Sequence, residues 1–232
     1  MDVKNIQNRR VWVGHCLVIC IHFVGILSFI HFNKYFYSIG FYKYILLLAT
    51  VFLADLLKYL LVYSQLKYIS VEKEKLNYLV KVKKSSKIMK NTLKFVLTAV
   101  GITIVYHIVI VLFGAPLIAD YEKTFVLAAT LTMLTLVPAS LYIGINNVID
   151  LLIGHPAQIE RSVIDGIKLN VKTVLFGTWI STFVLPLDWD QPWQAWPIPC
   201  IIGAMLSYSA AHFIGLMNIL IVKFKRRTRK IT

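Results

Sequence analysis

The sequence predicts an all-α, polytopic membrane protein with about six transmembrane helices and both termini in the cytosol. Three observations carry this. Of the 232 residues, 58% are hydrophobic and 16% charged, against about a quarter charged in soluble domains, and the mean hydropathy is +0.69. The apolar residues fall in runs long enough to cross a bilayer. The basic residues gather in every second connection between those runs. A soluble fold of this length has no interior for so much apolar surface, which argues against a soluble enzyme or nucleic-acid binder. The same apolar content argues against disorder. Three cysteines provide no disulfide framework.

The first run, residues 11–32, has no Asp, Glu, Lys or Arg and follows Lys4, Arg9 and Arg10. It is too long for a signal-peptide apolar region, and Asn33, Lys34 and Tyr35 follow it in place of a small-residue cleavage site. It is expected to stay as the first span. Further spans are expected at 44–63, 95–113, 125–145, 171–187 and 198–222, all within a single transmembrane domain of residues 1–232. The longest soluble piece is the 67–94 loop, expected to be partly helical or disordered.

The connections set the orientation. The N-terminal tail, the 67–94 loop, the 154–172 segment and the tail after Val222 hold 21 of the 25 basic residues. The alternate loops hold Lys34, Lys43 and Lys123, while Lys58 lies inside a span. The positive-inside rule then places both termini in the cytosol. The net charge of +14 is read as a topology charge facing anionic headgroups, with membrane lipids and not nucleic acid as its partners. The opposite loops are about ten residues each, too short for a folded domain.

No glycine-rich nucleotide loop and no nucleophile elbow occurs in the sequence. His15 and His22 share a helix face without a carboxylate beside them, and Cys16 and Cys20 read as small apolar residues. No metal, cofactor or catalytic residue is expected. Asp55 and Lys58 stand one turn apart in the second span, either lining a polar headgroup cavity or paired toward the bundle interior. Asn146, Asn147 and Asp150 end the fourth span and would complete such a cavity. Pro138 within that span frees a backbone carbonyl, to be met by a neighbour or by a polar crevice. The 156–168 segment has one apolar face and is expected to be a short helix on the cytosolic membrane surface. In the sixth span, Gly203, Ser207, Ala211 and Gly215 repeat every four residues. Such a seam lets another helix approach closely, either from this chain or from another subunit.

The densest pattern is Leu187-Asp-Trp-Asp-Gln-Pro-Trp-Gln-Ala-Trp-Pro-Ile-Pro-Cys200, with three of the five tryptophans in eight residues. Tryptophans at a membrane rim are ordinarily anchors, but an anchor alone does not need Asp188 and Asp190 beside Trp189, nor Pro192, Pro197 and Pro199. This motif, leading into a glycine-bearing last span, resembles the signature near the C-terminus of the PIG-F family of glycosylphosphatidylinositol (GPI) anchor biosynthesis proteins of the endoplasmic reticulum. The likeness is strongest from about Val137 to Ala211; the first 90 residues match in character only.

The resemblance implies a non-catalytic, multi-pass subunit of the endoplasmic reticulum membrane. Its implied role is to stabilise the large catalytic subunits of the ethanolamine phosphate transferases acting on the second and third mannoses of the GPI precursor. The other reading of the residues is a lipid carrier or scramblase that handles phosphatidylethanolamine or GPI intermediates. On the first reading, Asp188, Trp189, Asp190, Pro192, Trp193, Trp196 and Pro197 are the expected partner contact, with Trp193 or Trp196 as its buried anchor. The C-terminal Arg229-Lys230-Ile231-Thr232 resembles a dibasic retrieval signal with one Lys replaced.

Overall fold

A computed structural model describes Tyr44, Leu48, Ala49, Phe52, Leu53 and Leu56, together with residues 81–155 and 161–228. The long stretches form α1 (Lys81–Leu112), α2 (Tyr121–Ile143), α3 (Ile145–Ile153), α4 (Arg161–Ser181) and α5 (Ile198–Thr228), with 3-10 turns at Thr182–Val184 and Pro192–Gln194. There is no strand among the described residues. Met89–Leu112, Tyr121–Ile143 and Ile198–Gly215 are each long and apolar enough to cross a membrane. α4 is less apolar because Arg161, Asp165, Lys168 and Lys172 lie in its first twelve residues.

Several boundaries differ from expectation. α1, which holds the third expected span, already includes Lys81–Lys94, within the segment expected to be partly helical or disordered, since lysine is a good helix former. The fourth ends at Ile143, where Gly144 takes φ 79°, and α3 starts anew. The surface helix expected over 156–168 is not a separate element from Arg161 onward: α4 runs unbroken to Ser181. The short amphipathic helix is instead α3. It buries Ile145 and Val148, exposes Leu152 and Ile153, and is closed by Gly154 in the left-handed conformation. Residues 156–160 and almost all of the first two runs lie outside the described residues.

α2 is the central helix. Beyond its first turn it is apolar or hydroxyl-bearing all round and buries most of its residues, as a largely enclosed helix does. In hydrocarbon each hydroxyl needs a partner. Thr130, Thr132 and Thr135 donate to the carbonyls of Val126, Ala128 and Leu131 at 2.7, 3.0 and 2.7 Å. Two also reach α1: Thr132 meets Thr103 at 2.9 Å and Thr135 meets the Tyr106 hydroxyl at 3.1 Å. Interhelical hydrogen bonds of this kind contribute about 0.6 kcal/mol each in membranes.

Pro138 has no N–H for the carbonyl of Leu134, four residues earlier. α4 supplies the substitute, as the Asn170 Nδ2 donates to that carbonyl at 2.9 Å. Asn170 is itself buried, so the bond is made where water cannot replace it. Pro138 therefore marks a side-chain junction between α2 and α4 and opens no crevice at Leu134.

Two apolar clusters lie on either side of this junction. One joins Val126, Leu127, Leu131 and Leu134 of α2 to Ile198, Ile201, Ala204, Met205 and Tyr208 of α5, with Val174 of α4 and with Tyr44 and Leu48. The Tyr44 hydroxyl reaches the Met205 sulfur at 2.9 Å, tying the second run to α5. The other cluster joins Leu136, Ala139 and Ile143 to Ile145 and Val148 of α3, under Phe95, Ala99 and Ile102 of α1 and Ile167 of α4.

Candidate functional site

The Asp-Trp loop begins where α4 runs out at Ser181. Three tight turns follow, with backbone bonds from Leu185 to Thr182, Leu187 to Val184 and Trp189 to Leu187 at 3.1, 3.3 and 3.0 Å. Buried Gln194 then locks the loop. Its Nε2 donates to the Val184 carbonyl at 2.7 Å and also to the Leu187 carbonyl, and its Oε1 accepts from the Gln191 N–H at 3.5 Å. Gln191 Nε2 returns to the Trp189 carbonyl at 3.2 Å. Pro192 sits at the start of the Pro192–Gln194 turn, where its missing N–H costs nothing. Asp190 takes φ 47°, a conformation that Asp and Asn tolerate better than other non-glycine residues.

This lock sorts the expected contact residues into two groups. Trp193 and Trp196 turn inward and pack on the first core cluster, and Pro197 is fully buried. The indole N–H of Trp196 donates to Thr124 Oγ1 at 3.4 Å, and Thr124 donates to the Pro116 carbonyl at 3.2 Å. The loop is thereby tied to the other connection at the same end of the bundle, where Lys123 pairs with Asp120 at 2.9 Å. Asp188, Trp189 and Asp190 turn outward: Trp189 is 54% exposed and both carboxylates are exposed. Trp189 keeps ring contact with Trp193 at a centroid distance of 5.9 Å. Trp193 and Trp196 thus hold the loop to its own helices, and Trp189 is the one of the loop's three tryptophans that stays exposed.

The helix seam has a sharper geometry than a run of small residues implies. A Cβ on Gly203 would lie 1.8 Å from Ser181 Oγ and 2.7 Å from the Gly177 carbonyl. One on Gly177 would lie 1.5 Å from Ser207 Oγ and 3.0 Å from the Gly203 carbonyl. The partner of Gly203 and Ser207 is therefore Gly177 and Ser181 of α4, in this same chain. Ala211 is buried, whereas a Cβ on Gly215 would meet nothing within 4 Å. Gly177, Ser181 and Gln194 were not singled out from the sequence. The four-residue spacing of Gly177 and Ser181 was the available signal for the first two.

Of the residues expected to line a polar cavity, the described ones, Asn146, Asn147 and Asp150, all lie on α3. Asn146 accepts from Lys94 Nζ at 2.8 Å, and Asn147 donates back to the carbonyl of Ile143, the last residue of α2, at 2.6 Å. Asp150 is half-buried in α3, next to the chain turn at His155. Asp55 and Lys58 lie outside the described residues, as do His15, His22, Cys16 and Cys20. His212 stacks edge-on against Tyr208 at 4.6 Å.

Comparison with known proteins matches residues 23–216 to the model of the GPI biosynthesis protein family Pig-F. A PIGF/3-ketodihydrosphingosine reductase fusion protein of Schizosaccharomyces pombe is 36% identical over 114 residues, covering 46% of this chain and 21% of that protein. The mouse protein named GPI ethanolamine phosphate transferase, stabilizing subunit, is 35% identical over 109 residues, 47% of this chain and 50% of the mouse protein. Glycosylphosphatidylinositol anchor biosynthesis protein 11 of Yarrowia lipolytica is 29% identical over 136 residues, 57% of this chain and 59% of that one. The chain thus spans about half the length of the mouse relative it matches and a smaller share of the fusion protein. No solved structure matches. The family match takes in both the Asp-Trp loop and the Gly177–Gly203 crossing, and on it the chain belongs to the GPI biosynthesis protein family Pig-F.

Proposed function

We propose that this chain is a non-catalytic stabilising subunit of GPI ethanolamine phosphate transferases, acting beside the catalytic subunits that modify the second and third mannoses of the GPI precursor. It would do so as one six-span domain of the endoplasmic reticulum membrane, with both termini cytosolic and the Asp-Trp loop lumenal. The mouse relative's name supports the role, and the confinement of 21 of 25 basic residues to alternate connections supports the topology. The same topology puts Lys94 and Asn146 at the cytosolic end, opposite the loop.

The observation that carries the reading is the division of the Asp-Trp loop. Its interior residues are spent on internal bonds, and a held edge of Asp188, Trp189 and Asp190 faces outward. A pre-formed loop loses little conformational freedom on docking. The carrier reading needs Asp55, Lys58, Asn146, Asn147 and Asp150 to line a path; of these, Asn146 holds Lys94 and Asn147 bonds the Ile143 carbonyl.

Affinity purification of the tagged chain from membranes tests the proposal. It should bring down a transferase catalytic subunit, and Asp190→Asn, which keeps the backbone conformation and removes only the charge, should lower that recovery. A chain that purifies alone and moves phosphatidylethanolamine between the leaflets of liposomes would establish the carrier instead.

A further inference from the structure

α4 has two faces of opposite character. Val174, Gly177, Thr178 and Ser181 face α5 and the core. On the other side, Phe176 and Trp179, with Phe183 of the 3-10 turn that follows, form an exposed ladder, each about one turn from the next. Their rings touch in sequence, with centroids 6.0 Å apart for Phe176 and Trp179 and 5.1 Å apart, edge to face, for Trp179 and Phe183. Leu187 and Trp189, both exposed, carry the ladder on to the two outward carboxylates.

Lipid does not account for this face as it does for α1. The exposed stripe of α1 is almost entirely aliphatic, with Leu93, Leu97, Val100, Ile104 and Ile108, and aliphatic side chains are what acyl tails accept without cost. Trp179 lies nine residues before Asp188, which along helix and 3-10 turn is roughly 10 Å deeper than the loop. Tryptophan belongs at the headgroup level. At hydrocarbon depth an indole N–H has no water to bond. Among the described residues the Trp179 N–H has no acceptor. Aromatic rings on an accessible face are also the residues most enriched at the energetic centres of interfaces. Asp188 and Asp190 have no ion pair among the described residues, and they sit at the end of the ladder on a chain of net charge +14.

We infer that the aromatic face of α4 is the seat of a transmembrane helix of the transferase catalytic subunit. That helix offers a hydroxyl or carbonyl acceptor to Trp179 and a basic residue, at its lumenal end, to Asp188 and Asp190. This rests on the function proposed above and specifies which surface performs it. The Gly177–Gly203 crossing fixes the opposite face of α4, so the ladder is presented on a rigid element.

The experiment uses the full chain co-expressed with the catalytic subunit. Trp179→Leu and Phe183→Leu keep an apolar lipid-compatible surface but remove the rings. Each should lower recovery of the catalytic subunit about tenfold, with the level of the chain itself unchanged, while Ile104→Ala on α1 leaves recovery unaltered. A benzophenone amino acid at position 179 should form a covalent adduct with a membrane helix of the catalytic subunit, and one at position 104 with lipid. Undiminished recovery, disappearance of the chain itself, or an adduct at 179 confined to lipid or to this chain's own residues would each overturn the inference. If the unaltered chain recovers no catalytic subunit, the proposed function fails; if it does and both variants do equally, only this surface fails.

Discussion

Gly203→Ala tests the crossing of α4 and α5 through a single methyl group. The added carbon would stand 2.7 Å from both the Gly177 carbonyl and Ser181 Cβ, and 1.8 Å from Ser181 Oγ. Ser181 Oγ is held by its bond to the Gly177 carbonyl at 2.7 Å, and its rotation would not clear the backbone contact. The helices must therefore move apart, and overpacking of this kind costs about 1–3 kcal/mol. A loss of that size lowers the folded-to-unfolded ratio by about 5- to 150-fold. Gly215→Ala adds the same methyl where nothing lies within 4 Å, and should be neutral or slightly stabilising, since Ala exceeds Gly in helix propensity by about 1 kcal/mol. Thermal unfolding of the purified chain in detergent, followed by loss of the monodisperse peak, should separate the two variants by several degrees. Gly177→Ala should behave as Gly203→Ala does. The double variant should cost less than the two single costs added, because one separation of the helices accommodates both methyls. Equal melting of Gly203→Ala and Gly215→Ala would refute the close crossing.

Other consequences follow from the buried polar bonds. Asn170→Ala leaves the Leu134 carbonyl unsatisfied in an apolar interior, at a cost of about 1–3 kcal/mol; in a Pro138→Ala background, where the helix regains its own N–H, the same change should cost much less, and a double-mutant cycle by thermal melting reads the difference. Gln194→Leu removes the donor to the Val184 and Leu187 carbonyls and should speed limited proteolysis between α4 and α5 with little change elsewhere. Asp190→Val forces a β-branched residue into a positive φ and should destabilise the loop, whereas Asp190→Asn should not; similar proteolysis of both would contradict the assigned backbone strain. Tyr106→Phe and Thr135→Val should each cost under about 1 kcal/mol and couple to one another; independent effects would mean that their 3.1 Å contact contributes nothing.

The helical class was legible because apolar length is a property of the chain alone: the runs at 95–113, 125–145 and 198–222 each fall within or across a described helix. Charge was a poorer guide to helix ends. Lys81 to Lys94 lies beyond the expected span, in the piece expected to be partly helical or disordered, and it is helical, since lysine is a good helix former. Gly144 ends α2 through a positive φ, which composition does not reveal. In the candidate site the motif itself was plain, but the direction of each ring was not. Trp189, Trp193 and Trp196 look alike in sequence, and only Gln194 and the Thr124 contact decide which two turn inward. The seam on α5 was legible from four small residues at equal spacing, but its partner on α4 has just two small residues, Gly177 and Ser181. The bond between Asn170 and Leu134 joins residues 36 apart in sequence, and no local pattern announces it.

The central claim is that this chain acts by holding a transferase together and performs no chemistry itself. Depleting it in cells while following the catalytic subunits and the GPI intermediates tests this most directly. The account predicts that the catalytic subunits fall in amount, that intermediates lacking ethanolamine phosphate on the second or third mannose accumulate, and that the chain restores both unless its Asp188, Trp189 and Asp190 edge is altered. Catalytic subunits present at full level and fully active in its absence would contradict it.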